Sequence, residues 1–135
     1  MSDAERMTDA VWNGHLDAVI ALINAGADVN SVDGPHTPPL HQAIENQRVE
    51  IVRLLIAAGA DVNREVGDHW TPLAHAIDIE SDAASQAGLP PDEVSTELVE
   101  LLLASGAVPN ARDLELATGY GNHKALALIE ASRRV

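Results

Sequence analysis

The sequence lacks cysteine and phenylalanine, and its aromatic residues are limited to two tryptophans and one tyrosine among 135 residues. Without cysteine, disulfides are excluded, as are metal sites and nucleophiles that depend on a thiolate. Because aromatic residues are so scarce, the 46% hydrophobic content has to supply a core of Leu, Ile, Val and Ala. Side chains of this size suit thin, closely stacked pairs of helices.

Basic residues are also scarce: 8 Lys and Arg stand against 21 Asp and Glu, for a formal net charge of -13. Proteins that bind nucleic acids use clustered Lys and Arg to neutralise phosphates, so we expect no nucleic-acid partner. A basic protein is the natural counterpart of an acidic surface. The alternative is that the charge serves solubility alone.

Long hydrophobic runs are missing as well. No apolar stretch approaches the roughly 20 residues of a membrane-spanning helix, and the polar residues 2–6 (SDAER) do not form a secretory signal. These features predict a soluble cytoplasmic protein without a membrane partner. The chain length predicts a single domain over residues 1–135.

The stretch from Pro38 to Asn63 predicts two short helices, one opening at Pro39 and one ending at Gly59. Proline fits the first turn of a helix, where no amide donor is needed, and glycine suits a left-handed helix end. Apolar residues recur between them at helical spacing. Neither helix can bury its apolar face alone, so the pair requires copies of itself.

Copies of this pattern recur with a period of about 33 residues, which is typical of a repeat array. Gly26 and Gly59 are one such period apart and each is followed by Ala-Asp-Val-Asn, and Leu40 and Leu73 have the same separation. The segments that repeat are the openings at 39–43 (PLHQA) and 71–73 (TPL) and the exits at 26–30 and 59–63 (GADVN), with a third exit at 106–110 (GAVPN). With this period and these motifs, the sequence resembles the ankyrin-repeat family over nearly its whole length.

The resemblance implies an all-α fold, an ankyrin-repeat solenoid of four helix pairs with repeats at about 2–30, 31–63, 64–110 and 111–135. Hairpin fingers are expected between the pairs, with turns at 33–35 and 67–68. Helix starts are expected at Ser2 with Glu5 as a capping box, and at Thr37, Thr71 and Asn110. The polar terminal repeats favour a monomer in the unbound state, and Arg133 and Arg134 complement the dipole of the last helix.

The third and last repeats depart from this pattern. Gly59 and Gly106 are 47 residues apart, 14 more than the period, and the surplus lies between Ile77 and Thr96. Split evenly, it lengthens each helix by about two turns, which predicts an elongated helical hairpin with Asp92 and Glu93 at the start of its returning helix. The segment 78–100 carries seven acidic residues and no Lys or Arg. The last finger is shortened, since 106 to 114 spans 8 residues where 26 to 40 spans 14.

Ankyrin-like proteins usually bind partners through finger residues and exposed positions of the inner helices, which line a concave face. Relative to the repeat leucine, the family's contacts lie three residues before it and five and six after it. The contact positions selected in this way are Trp12, Asn13, Thr37, Glu45, Asn46, Trp70, Asp78, Ile79, Gly119 and Tyr120. All three aromatic residues belong to this set, and Trp and Tyr are enriched at binding hot spots.

The resulting hypothesis is a protein-binding module that uses a concave aromatic and acidic face, suited to Arg or Lys of a partner. It is expected to be non-catalytic, without cofactor or metal, and to act as an inhibitor, for example an immunity or antitoxin protein. The alternatives are that Trp12 and Tyr120 cover the ends of the stack while Trp70 braces its finger. For the whole protein, the alternative is an adaptor that uses segment 78–100 as a second surface.

Other chemistry has weaker support in the sequence. His36 and His69 are one repeat period apart and could share a ligand, but no third ligand is evident. The carboxylates are expected on solvated faces, with no buried pair that would support catalysis. An enzyme or metal protein would require a closed polar pocket. In some ankyrin proteins of animals the exit asparagine is hydroxylated, which leaves modification of Asn30 and Asn63 open.

Overall fold

The computed structural model describes residues 2–133 apart from positions 33, 35 and 68. These residues form eight α-helices and one short 3-10 helix, and the only β pairing among them is an isolated antiparallel bridge between Val66 and Trp70. The predicted all-helical class is therefore confirmed. The chain divides into two compact units, residues 1–61 and 62–135, and the single-domain organisation stays a prediction.

The first unit consists of two helix pairs. Its helices are α1 (Asp3–Asn13), α2 (Leu16–Asn24), α3 (Pro39–Glu45) and α4 (Val49–Ala57). Within the pairs α1 packs on α2 and α3 on α4, and between the pairs α1 packs on α3 and α2 on α4. The shared core is aliphatic, with Val11, Val19, Ile44, Val52 and Leu55 inaccessible to solvent. The second pair therefore buries the apolar faces that the first pair leaves open, as a repeat architecture requires.

The helix ends of the first unit follow local sequence signals, with one exception. Ser2 Oγ accepts a hydrogen bond from the Glu5 amide, and Glu5 accepts one from the Ser2 amide, which confirms the capping box. The predicted cap at Thr37 is wrong, because the residue before α3 is Pro38, which makes no side-chain cap bond. Pro38 and Pro39 carry no amide hydrogen, so this helix start has fewer donors to satisfy. The Thr37 carbonyl instead accepts from the Gln42 side chain at 2.7 Å.

The second unit repeats the same arrangement, with one longer helix and an additional 3-10 helix. It contains α5 (Pro72–Gln86), the 3-10 helix Pro91–Glu93, α6 (Glu97–Ala104), α7 (Ala111–Gly119) and α8 (His123–Arg133). Helix α5 packs on α6 and α7, and α8 packs on α7, on α6 and on the 3-10 helix. Thr71 caps α5 through the Ala74 amide, and Asn110 caps α7, as predicted. Asp113 completes a capping box with Asn110, which was not predicted.

The surplus residues of the third repeat are not shared evenly between two helices. Helix α5 has 15 residues where α3 has 7, but α6 has only 8. Asp92 and Glu93 lie in the 3-10 helix rather than in a returning α-helix. Pro90 and Pro91 explain the difference, since a residue followed by proline is pushed out of the helical region and Pro90 has an extended ψ of 158°. Only one arm of the predicted hairpin is therefore elongated.

A buried carboxylate on the elongated helix α5 caps the N-terminus of α6. Glu80, only 6% exposed, accepts hydrogen bonds from the Leu98 amide at 3.1 Å and from the Val99 amide at 3.2 Å. These amides belong to the first turn of α6, where no intrahelical carbonyl is available. The Ser95 hydroxyl donates to the same carboxylate at 3.2 Å. The prediction that the carboxylates lie on solvated faces is wrong for Glu80, because the start of α6 takes its cap from α5.

The exit asparagines join successive repeats inside each unit. Asn30 Nδ2 donates to the Gly59 carbonyl at 3.1 Å, and its Oδ1 accepts from the Asp61 amide at 2.8 Å. In the second unit Asn63 makes the equivalent bonds, to the Gly106 carbonyl at 3.1 Å and from the Val108 amide at 2.7 Å. One side chain thus satisfies a donor and an acceptor at the next helix exit, which explains why asparagine stands at this position.

The predicted fingers are described in part. Gly34 and Gly67 have positive φ angles of 52° and 56°, which suits the predicted turns, whereas the turn residues at 33, 35 and 68 lie outside the described residues. Residues 105–110 connect α6 to α7 without a hairpin, in agreement with the shortened last finger. Arg133 lies in the last turn of α8, and Arg134 is outside the described residues.

Replacing Asn30 with alanine should destabilise the protein. The change removes two hydrogen bonds to the next exit, each worth about 0.5–1.5 kcal/mol net, so the free energy of unfolding measured with urea should fall by about 1–3 kcal/mol. Asn24→Ala is the matched control, because Asn24 is an exposed residue at the end of α2. Equal stability of the two variants would contradict a structural role for the asparagine bridge.

Candidate functional site

The contact positions inferred from the repeat register all retain some exposure. In the first unit the exposed positions are Trp12, Asn13 and Glu45, and the half-buried ones are Thr37 and Asn46. In the second unit the exposed positions are Gly119 and Tyr120, and the half-buried ones are Trp70, Asp78 and Ile79. The positions were counted from Leu40 and Leu73 and from their equivalents in the first and last repeats, Met7 and Leu114. Three of these four residues are buried, and Leu114 is half-buried. The register therefore places these side chains at the surface, and their contact with a partner stays a prediction.

In the first unit, Trp12 presents its ring at the end of α1. The residue is 44% exposed, so the core does not use it. Its carbonyl accepts a hydrogen bond from the Arg48 guanidinium at 3.2 Å. The guanidinium lies so close to Gly14 that a Cβ there would be 2.8 Å from it. Arg48 therefore satisfies a carbonyl at the C-terminal end of α1, while the ring of Trp12 remains at the surface.

In the second unit, Trp70 is held by several contacts. Its amide and carbonyl exchange hydrogen bonds with Val66 at 3.2 and 2.8 Å, which closes the second finger (residues 63–71). The ring meets the His75 ring nearly edge-on, with centroids 5.3 Å apart and an interplanar angle of 77°. The guanidinium carbon of Arg112 on α7 lies 5.9 Å from the ring centroid. These contacts support the bracing alternative for Trp70, and its partial exposure leaves room for a partner as well.

Tyr120 and Asp78 are the two contact positions that the structure joins directly. The Tyr120 hydroxyl donates to Asp78 Oδ1 at 2.7 Å. This hydrogen bond, together with partial burial and the charges of Asp78 and Asp82, raises the pKa of Tyr120 to about 12. The hydroxyl therefore stays protonated at neutral pH and fixes the ring, which is 40% exposed, beside the acidic residues of α5.

Two open clefts lie along α7 between Trp70 and Tyr120. The first has a volume of about 260 Å³ and is lined by Glu65, His69, Asn110, Ala111, Arg112 and Glu115. The second has a volume of about 210 Å³ and is lined by Arg112, Glu115, Leu116, Gly119 and Tyr120. Because Arg112 and Glu115 belong to both, these two side chains separate the clefts. The register did not select them, and the shortened finger before α7 was the signal that could have indicated them.

The family of the chain follows from its repeats. Residues 7–113 match the family model for ankyrin repeats in three copies. The chain belongs to the ankyrin-repeat family. Ankyrin repeats indicate a protein–protein interaction module, and proteins built from them are generally non-catalytic. A search among curated proteins found no match.

The ankyrin match covers the contact positions unequally. Those from Trp12 to Ile79 lie inside the matched residues, whereas Gly119 and Tyr120 lie beyond residue 113. The assignment of these last two rests on the position of Leu114 in the repeat of this chain. Tyr120 is nevertheless tied to Asp78 on α5, so the structure supplies a link that the family match does not.

Across the described ranges, no three potential His, Asp or Glu ligands come together in a way that could hold a metal ion. His36 and His69 are exposed, and His69 Nδ1 lies 3.5 Å from Glu65 Oε2. No helix in the part of the chain that is described has the length and apolar content needed to cross a membrane.

Two buried carboxyl groups have raised pKa values. Burial is the main cause for Glu80, opposed by hydrogen bonds from Leu98, Val99 and Ser95. Burial likewise raises the pKa of Asp113, which is fully buried and accepts from the Asn110 amide at 2.7 Å and the Thr71 hydroxyl at 3.1 Å. Both groups cap helices, so we assign them to the fold rather than to catalysis.

Stability should depend on pH through these groups. A carboxyl whose pKa is higher in the folded than in the unfolded state binds its proton more readily in the folded state. Its contribution to the free energy of unfolding is therefore largest in acid and is lost as pH rises through the folded-state pKa. Glu80→Gln removes one such group. The fall in free energy of unfolding between pH 5 and pH 8, measured with urea, should be smaller in this variant than in the parent. Asp92→Asn, at an exposed position of the 3-10 helix, is the control, and an unchanged slope for Glu80→Gln would contradict the assignment.

Proposed function

We propose that this ankyrin-repeat protein binds a basic protein, without catalysis, through exposed aromatic and acidic residues of its inner helices and second finger. The observation that carries the proposal is the placement of the aromatic residues. Trp12, Trp70 and Tyr120 all fall at contact positions and all remain partly exposed, while the hydrophobic core of the described residues is aliphatic apart from Met7. Large aromatic side chains that folding does not bury are available for a partner.

The charge of the second-unit surface favours a basic partner. Carboxylates line the clefts at Glu65 and Glu115, and Asp78 lies against Tyr120 at the other end of α7. Arg112 is the basic side chain common to both clefts. The formal net charge of -13 shows that acidic residues outnumber basic ones over the whole protein as well. Association with a basic protein should therefore be fast at low salt and slower as salt is added.

The first unit offers a second, smaller set of contact positions. Trp12 and Asn13 end α1, and Glu45 and Asn46 end or follow α3, which packs beside α1. This set combines one exposed ring with a carboxylate and two amides. It has the chemistry proposed for the second unit, and a single face that joins Trp12 with Trp70 and Tyr120 stays a prediction.

A finer proposal is that binding inhibits the partner. Enzymes that act on nucleic acids present basic surfaces to their substrates, and an acidic protein that covers such a surface blocks substrate access. An immunity or antitoxin protein against a cationic toxin, such as a nuclease, has these properties. Inhibition of the captured partner's activity by the parent, and not by a Trp70→Ala variant, tests this step.

An adaptor is the second candidate function, and one observation favours it. Leu89, at the tip of segment 78–100, is 43% exposed, and Asp92 and Glu93 in the following turn are exposed as well. An exposed apolar side chain beside carboxylates provides a second contact surface. A bridging protein would use this tip for one partner and the α7 side for another.

Replacing Trp70 with alanine should weaken binding more than it affects folding. Loss of a hot-spot aromatic costs about 2 kcal/mol or more, which corresponds to roughly a thirtyfold rise in Kd. The measurement is capture of partners from the native cell lysate, with bound proteins identified by mass spectrometry. The affinity for the captured protein is then determined by calorimetry, beside thermal melting of both proteins.

Leu89→Ala is the matched variant for the adaptor alternative. A basic protein held by the parent and by Leu89→Ala, but lost by Trp70→Ala, supports the proposed surface. Loss with Leu89→Ala alone moves the site to segment 78–100. If Trp70→Ala unfolds the protein, the bracing alternative for Trp70 is correct.

A further inference from the structure

We infer that Arg112 occupies, in the unbound chain, the place on the Trp70 ring that an arginine of the basic partner takes on binding. The inference rests on the proposed function, because it concerns the same surface, and it names the chemical group that the surface recognises. Its starting point is the contact of the Arg112 guanidinium carbon with the Trp70 ring, 5.9 Å from the centroid. At about 6 Å a cation is attracted by the electron-rich face of the ring.

The Trp70 ring does not depend on Arg112 alone for its position. The backbone of Trp70 is fixed by two hydrogen bonds to Val66, and the His75 ring packs nearly edge-on against the indole. These contacts come from the second finger and from α5, whereas Arg112 comes from α7. One guanidinium can therefore replace another on the ring while the ring remains in place.

Arg112 also divides a surface that is otherwise continuous. The clefts of about 260 and 210 Å³ share Arg112 and Glu115 and extend from Glu65 to Tyr120; together we call them the α7 groove. A helix of nine residues, as in α7, is about 13 Å long, which matches about four residues of extended chain. Once the Arg112 side chain moves off the ring, the groove has room for a short extended segment.

The shortened finger explains why this groove is open. Only residues 105–110 connect α6 to α7, so the hairpin that precedes α5 has no counterpart before α7. Ala111 is exposed, and Arg112 is half-buried beside Glu65 and His69. A full finger in the last repeat would stand next to the second finger, where a segment of the partner can lie instead.

The carboxylates of the α7 groove favour a basic segment as its ligand. Glu65 lines one end, Glu115 the middle, and Asp78 holds the Tyr120 hydroxyl at the other end. A segment with a central arginine and further basic residues pairs its guanidinium with Trp70 and its flanking charges with these carboxylates. Arginine suits the ring better than lysine, because the planar, weakly hydrated guanidinium stacks on aromatic faces.

The test uses the full chain and a nine-residue peptide of alternating Ser and Arg. The Kd for the peptide is measured by calorimetry in every variant. In the variants that keep Trp70, binding is also followed by NMR through its indole N–H signal, which is distinguished from that of Trp12 with a Trp12→Phe variant. Arg112→Gln removes the internal competitor, so the peptide should bind about two- to fivefold more tightly, the factor that corresponds to an exposed cation–π contact. Arg112→Met, which keeps an apolar stem, should give the same direction.

Two controls separate this effect from a general change in charge. Arg133→Gln removes one positive charge at the exposed end of α8, and it should tighten binding less than Arg112→Gln. In a Trp70→Ala background, Arg112→Gln should give no gain, because the ring over which the two guanidiniums compete is absent. A peptide with lysine in place of arginine should gain less from Arg112→Gln.

The outcomes distinguish this inference from the proposed function. Suppose that Trp70→Ala weakens peptide binding but Arg112→Gln does not tighten it, or tightens it only as much as Arg133→Gln. The inference that the two guanidiniums exchange is then wrong, and the proposed second-unit binding surface is still supported. If Trp70→Ala leaves peptide binding unchanged, both the exchange and the proposed second-unit surface are wrong. Weaker binding to Arg112→Gln would show that Arg112 positions Trp70 for the partner, which also overturns the exchange.

Discussion

Helix pairs with mainly aliphatic side chains cannot bury their own apolar faces, so within each unit two pairs have to stack. In the first unit α1 and α2 pack on α3 and α4, and in the second α5 and α6 pack on α7 and α8. Leu, Ile, Val and Ala fill the spaces between them. Because this core uses no aromatic side chain, all three aromatic residues keep part of their surface exposed, although Trp70 also braces the second finger. The proposed function therefore follows from the composition of the core as much as from the surface.

Helix ends impose the second demand on the structure. The first amides of a helix need acceptors. In this chain two buried carboxylates act as such acceptors, Glu80 at the start of α6 and Asp113 at the start of α7. The pKa of both groups is raised, because the penalty of burial on the ionised form outweighs the hydrogen bonds that favour that form. Acidic residues consequently have two roles here, since the exposed carboxylates shape the surface potential while these two hold helices in place.

Local sequence signals predicted most of the fold. The capping box at Ser2, the caps at Thr71 and Asn110 and the glycine exits indicated helix bounds that the structure matches, because such signals act within a few residues. The repeat period predicted the pairing of helices, because each copy of the pattern contains one complete pair. Thr37 failed as a cap because two prolines remove the donors that a cap satisfies, a competing local effect that was overlooked.

Features that depend on distant contacts were not predictable in this way. The cap that Glu80 provides for the amides of Leu98 and Val99 is a contact that the repeat period does not contain. Arg112 was missed because the family register selects positions for a complete finger, and the finger before α7 is short. Exposure at the contact positions agreed with the register, since orientation on a helix follows from residue number alone.

The capping of α6 by Glu80 has a consequence for how this chain can diverge. A carboxylate on one helix and the first amides of another form a single hydrogen-bonded group, although 18 residues separate Glu80 from Leu98. Loss of the acid leaves those amides without this acceptor, unless Thr96, which precedes α6 and makes no side-chain cap bond, turns its hydroxyl towards them. A substitution at position 80 therefore acts on the start of α6, 18 residues further along the chain.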